Sequence, residues 1–296
     1  MKGASHLKVI ALVGALSALS LAAWLLQSRA PSHSGKDDAA AVEGRSSGLG
    51  GVDLAMALMG GFRGVLAEVV WFQADRLQDE GEYTELAQLA AYLTHLEPHT
   101  PEVWSYAAWN LAYNVSASVP TAAERWRWVE AGLALLRDDA LRINPGDPLI
   151  AKELGWFYLT KIGGNLDDAS PYYREELAKA VDGAAASGGW AEIGLDRSLM
   201  DDVESAYAIS DWKDPYAHSI YWSALGLGKA TGRDRFNLKR QILLAMIMRS
   251  DADPSLRERV LEEILRLAAE YPGEGFEEIE KAFRGRMAST PGKNMV

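Results

Sequence analysis

Apolar residues recur at helical spacing through most of this chain, and the recurrence restarts at intervals. Ala67, Trp71, Ala74 and Leu77 share one face of a helix that Gly81 ends. A second helix opens at Thr84, runs to Leu96 and stops before Pro98. From Pro101, 34 positions beyond Ala67, the pattern returns with Trp104, Ala107, Ala108 and Leu111. A Thr121-x-x-Glu124 capping box then opens a helix running to Ile143, which Pro145 closes. A third unit begins at Pro148 with Leu154, Gly155 and Tyr158, and a fourth carries Trp222, Leu225 and Gly226. From Val52 to Arg286 no stretch alternates with β-branched residues, which predicts an all-α chain. Asp182 to Lys213 is the place where a strand-rich module would fit best.

Helix starts carry their own signature. Thr100-Pro101, Asp147-Pro148, Ser170-Pro171, Asp214-Pro215 and Asp253-Pro254 each pair an N-cap residue with proline. The cap oxygen accepts an orphan N–H, and proline sits where no N–H is required. Small residues at Ala108, Gly155 and Gly226 are expected to let the two helices of one hairpin approach closely, while Trp71, Trp104 and Trp222 fill space between hairpins.

These positions resemble the tetratricopeptide repeat (TPR) family, whose first helix carries W-x-x-L-G-x-x-Y and whose second ends before a proline. The stretch from Arg125 to Gly164, with GGFRGVLAEVVWFQADRLQDEGEY before it, is similar to bacterial membrane-anchored TPR proteins of unassigned role. The resemblance implies an irregular α-solenoid of antiparallel helix pairs over 52–296. Its units fall near 67–100, 101–147, 148–181 and 219–250, with an insertion at 182–213 and capping helices at 254–288. Such stacks usually present surface to other proteins, and chemistry is not implied. The expected partner is a protein held on the concave face.

The N-terminus adds a compartment. Residues 9–26 read VIALVGALSALSLAAWLL without a charge, and follow Lys2 and Lys8 in the short basic segment 1–8. As a helix this run spans ~27 Å, close to a bilayer core. It predicts a single signal-anchor in a bacterial inner membrane, with the rest of the chain periplasmic. The alternative is a cleaved signal ending at Ser28-Arg29-Ala30, which would release a soluble chaperone-like protein. Residues 27–51, rich in Ser, Gly, Ala and charge, read as a flexible linker.

Composition narrows the chemistry. A formal net charge of −11 repels phosphate backbones, so nucleic acid is not an expected partner. The absence of cysteine removes thiolate nucleophiles, disulfides and zinc–thiolate sites. No cofactor, metal or catalytic set is expected. Pro98 separates His95 from His99, Gly226-Leu227-Gly228-Lys229 lacks phosphate-loop spacing, and Asp167-Asp168 and Asp201-Asp202 sit beside helix starts. The competing enzyme reading is a helical toroid acting on a cell-wall polymer, with Asp75 or Asp79 as carboxylates.

First-helix positions not used for packing define the candidate partner groove. They are Asp75, Gln78 and Asp79 in the first unit, and Ser105, Trp109 and Tyr113 (with Ala112) in the second. The third unit supplies Lys152, Trp156 and Thr160. Trp109, Tyr113 and Trp156 would form an aromatic patch suited to a peptide or helix, unless neighbouring segments fold over it and make it core.

Overall fold

The computed structural model describes residues 63–165 and 167–289. The expected segments 1–8, 9–26 and 27–51 and the helix near Val52–Met59 lie outside the described residues. No helix among the described residues is long and apolar enough to cross a membrane. Every regular element among them is a helix, as the periodicity predicts, including the stretch from Asp182 to Lys213.

The first two helices are α1 (Arg63–Glu80) and α2 (Tyr83–Leu96). Helix α3 (Pro101–Trp109) continues through a π-helical segment, Asn110–Val115, into Ser116–Ser118. Helix α4 (Ala122–Ala134) widens likewise at Leu135–Ala140 and ends with Leu141–Ile143. Helix α5 (Pro148–Trp156) widens at Phe157–Ile162, and α6 spans Ser170–Ser187. A 3-10 turn, Trp190–Ile193, leads to α7 (Arg197–Tyr207). Then come α8 (Pro215–Leu227), α9 (Gly232–Ala252), α10 (Arg257–Glu270) and α11 (Phe276–Ser289).

Most predicted caps form. Thr121 and Glu124 complete the capping box, and Asp147 accepts from the Leu149 and Ile150 amides at 2.9 and 3.2 Å. Asp214 accepts from Tyr216 N at 2.9 Å, and Asp253 from Ser255 N at 3.0 Å. Three readings need correction. Thr100 makes no side-chain cap bond, and Ser170 is the first residue inside α6, where its hydroxyl donates to the Asp167 carbonyl at 2.7 Å. The N-cap position is Ala169, which makes no side-chain cap bond, and Asp167 accepts from Ala169 N at 3.0 Å in the turn before the helix. Thr84 likewise lies inside α2, whose N-cap is Glu82.

Packing proceeds by neighbours. Helix α2 packs on α1 and α3, α3 on α4, and α5 on both α3 and α4. Helix α6 joins α4 and α5, α8 packs on α5 and α7, α9 on α8 and α5, and α10 and α11 follow in series. A continuous cluster of buried apolar side chains runs from Trp104 to Phe283. Trp104 and Trp222 are buried as expected, whereas Trp71 is half-buried, with its ring edge on Tyr106.

The glycines act differently from one another. A Cβ on Gly132 would lie 2.9 Å from the Ala108 carbonyl, so the close approach of α3 and α4 does rest on small residues within one hairpin. Gly155 is a correction. Its near neighbours are Ser219 O and Ser223 Oγ of α8 and Gln241 of α9, not its own hairpin partner α6. Gly226 faces Ala151 of α5 and Leu238 of α9. Gly155 therefore sets the spacing between units, while Gly226 serves both the approach of α8 to its own hairpin partner α9 and the contact with α5. Helix α6 also runs to Ser187, so the expected insertion at 182 begins inside a helix.

Candidate functional site

One open cleft of about 430 Å³ lies between α3, α5 and α9. Helix α3 contributes Trp109, and α5 contributes Lys152, Glu153 and Trp156. The opposite wall is a single stripe of α9, Asn237, Arg240, Gln241 and Leu244, at i, i+3, i+4 and i+7. Three of the expected groove residues, Trp109, Lys152 and Trp156, thus share one site.

The Trp109 indole is held in place before any ligand arrives. Its Nε1–H donates to Glu153 Oε2 at 2.7 Å, and one face stacks on Tyr113 with centroids 4.2 Å apart and planes 17° from parallel. Trp109 remains 37% exposed, so the described residues leave part of it open to solvent. Glu153 is buried but both its oxygens are engaged, the second by Lys152 Nζ at 2.9 Å. Gln241 Nε2 donates to the Lys152 carbonyl at 3.0 Å, tying α9 to α5 across the floor. Arg240 is exposed and Asn237 half-buried, and neither side chain has a hydrogen-bond or ion-pair partner among the described residues.

Tyr113 and Thr160, expected in the groove, sit behind it. Thr160 Oγ1 donates to the Trp156 carbonyl at 2.9 Å, so Tyr113 OH is the donor in their 2.8 Å bond. That bond links α3 to α5 beneath Trp109. Burial raises the Tyr113 phenol above its ordinary value, and the Glu153 charge adds to the rise against the Thr160 bond. Lys161 Nζ lies 5.1 Å from the Tyr113 ring and pairs with Asp167 Oδ2 at 2.6 Å. Burial would raise the Asp167 carboxyl, but Lys161, the Ala169 amide and Tyr173 bring it down to about 2. Asp167 is therefore a half-buried, ion-paired structural anion rather than only a dipole partner.

Both cleft tryptophans immediately precede a π-helical segment, Asn110–Val115 after Trp109 and Phe157–Ile162 after Trp156. Such widenings often accompany functional sites, because they re-aim side chains without ending the helix.

The remaining expected residues belong to a different surface. Asp75 and Asp79 are exposed on α1, Gln78 Oε1 accepts from Tyr106 OH at 3.1 Å, and Ser105 Oγ donates to Pro101 O at 3.1 Å. Asp75 and Asp79 lie on one helical stripe with Glu68 and Phe72, and Phe72 is 77% exposed. His95 Nδ1 bonds the Ala91 carbonyl of its own helix at 2.8 Å. No group of three or more His, Asp or Glu side chains that could hold a metal occurs among the described residues.

Glu153, Asn237, Arg240, Gln241 and Leu244 are absent from the sequence-based site. A signal for the last four did exist, since they form a largely polar i, i+3, i+4, i+7 stripe beside the apolar Leu238, Ile242, Leu243, Ala245 and Met246 of the same helix. What the sequence could not supply is that α9 packs across α5. Comparison with protein-family models, curated proteins and solved structures gives no match for this chain.

Proposed function

We propose that the chain is an inner-membrane-anchored, periplasmic scaffold of TPR-like helix pairs that holds a protein partner within an envelope assembly. The uncharged run at 9–26 and the polar linker at 27–51 support the anchor and tether. The neighbour-to-neighbour packing of α1 through α11 supports the repeat reading, as each helix pair buries its apolar face against the next. The orphan purpose of such a stack is to offer surface.

One observation carries the partner assignment. Phe72 is 77% exposed on α1, flanked one turn away by Glu68, Asp75, the exposed Val69 and Arg76, whose charge is taken up by Glu80 at 3.5 Å, with Asp79 one turn further on. A large exposed aromatic in an acidic rim suits a partner segment with an apolar anchor between lysines or arginines. The cleft between α3, α5 and α9, lined by two tryptophans and several polar side chains, suits a different ligand class.

Substitution tests the assignment on the full-length chain. Phe72→Ala should weaken partner capture by ~2 kcal/mol, as loss of an interface aromatic does, while thermal stability changes by less than ~1 kcal/mol. Raising salt should weaken capture by the wild-type protein too, because the rim charges are exposed. Unchanged capture by Phe72→Ala, or a large fall in melting temperature, would remove this surface from the account.

A further inference from the structure

We propose that the cleft between α3, α5 and α9 binds an acidic saccharide, a segment of polysaccharide carrying a uronic-acid carboxylate. The inference goes beyond the scaffold reading and does not require the α1 surface to bind anything.

The lining argues the class. Only Leu244 among the cleft residues is aliphatic. An amphipathic peptide helix seats on an aliphatic groove, and here it would bury the unpartnered amide of Asn237 and the guanidinium of Arg240 against carbon. A pyranose ring has the opposite needs. Its C–H face packs on an indole, and its rim of hydroxyls requires planar donors and acceptors in pairs. Trp109 presents such a face in a fixed orientation, because its N–H is committed to Glu153 and its other side to Tyr113. Trp156 lines the same space, so two stacking platforms are available along one run of sugar. A site prepared in this way loses little freedom on binding.

Charge narrows the class further. Within the cleft, Lys152 is already neutralised by Glu153 at 2.9 Å, which leaves Arg240 as the cation without a partner. A guanidinium offers two parallel N–H donors that match a carboxylate. Asn237 lies one turn away on the same stripe of α9, placed for a ring hydroxyl or the second carboxylate oxygen. The cleft volume of about 430 Å³ lies within the range of small-ligand sites.

The test is titration of the full-length chain in lipid nanodiscs, followed by tryptophan fluorescence and calorimetry. The probes are uronic-acid oligosaccharides (galacturonate, glucuronate and mannuronate oligomers), a neutral glucose oligomer and a hexaglutamate peptide. Saturable binding of at least one uronic oligomer is expected, about tenfold or more tighter than the neutral oligomer. Arg240→Gln, an exposed change that leaves the fold intact, should abolish that preference, and Asn237→Ala should weaken binding without abolishing it. Phe72→Ala should bind the saccharide as wild type does, so failure here and failure of the scaffold reading are separable. Absence of saturable binding by every uronic oligomer would overturn the proposal. So would binding unaffected by Arg240→Gln, or a hexaglutamate peptide that binds more tightly and depends on Arg240.

Discussion

His218 shows how a single buried side chain makes this fold sensitive to acid. Its ring stacks on Tyr158 with centroids 4.7 Å apart, and Nε2–H donates to the Trp212 carbonyl at 2.8 Å. Burial disfavours the imidazolium and lowers the group from an ordinary 6.5 to about 4. Because the folded value lies below the unfolded one, this neutral histidine contributes no penalty above pH 6.5 and costs stability as pH falls from there toward 4. The full loss amounts to ~3 kcal/mol. Asp167 adds a second loss at lower pH, between 3.8 and about 2, since its folded carboxyl is the stronger acid. Urea unfolding at pH 7 and 4.5 should therefore show a marked drop for the wild type and a smaller one for His218→Gln. Equal drops would place the acid sensitivity elsewhere. At this scale the sequence was only partly informative. Trp109 and Trp156 could be singled out from the phase of the first helix of each unit, but Glu153, which fixes the indole, reads as one more charged residue on a helix. Its role depends on a contact 44 positions away.

Helices were the most legible level, because their signals are local. The capping box at Thr121 and Glu124 and the Asp-Pro starts at Asp147 and Asp214 form as their side-chain chemistry dictates. The π-helical segments after Trp109 and Trp156 were not legible, since widening reflects how two helices seat on each other rather than residue preference. Glycines test the packing between elements. A Cβ at Gly155 would meet Ser219 O at 2.9 Å and Ser223 Oγ at 3.0 Å, whereas a Cβ at Gly183, in α6, would meet nothing within 4 Å. Gly155→Ala should thus cost ~1–3 kcal/mol by forcing α5 from α8. Gly183→Ala should instead gain ~0.5–1 kcal/mol from helix propensity. Paired thermal melts check this, and a neutral Gly155→Ala would mean that the α5–α8 contact is looser than described.

For the whole molecule, charge and stacking order support the same reading. A chain of net charge −11 places Glu68, Asp75 and Asp79, with Arg76 paired to Glu80, near the exposed Phe72 on the first of the described helices. A basic partner would be drawn to that helix and a uronic sugar would be held in the cleft by Arg240, so the two sites differ in the sign of what they attract. The all-helical class followed from periodicity alone. The placement of α9 across α5, which creates the cleft, is a long-range consequence of packing that no local pattern encodes. The scaffold reading stands or falls on whether α1 meets a partner in the envelope. The most direct measurement is site-specific photo-crosslinking in intact cells, with the reactive group at position 72 of the full-length chain and, as control, at the exposed Glu277 on α11. The account predicts a discrete heteromeric adduct from position 72, absent from 277 and lost when Asp75 and Asp79 are replaced by lysine. Adducts of the same pattern from both positions, or none from position 72, would contradict it.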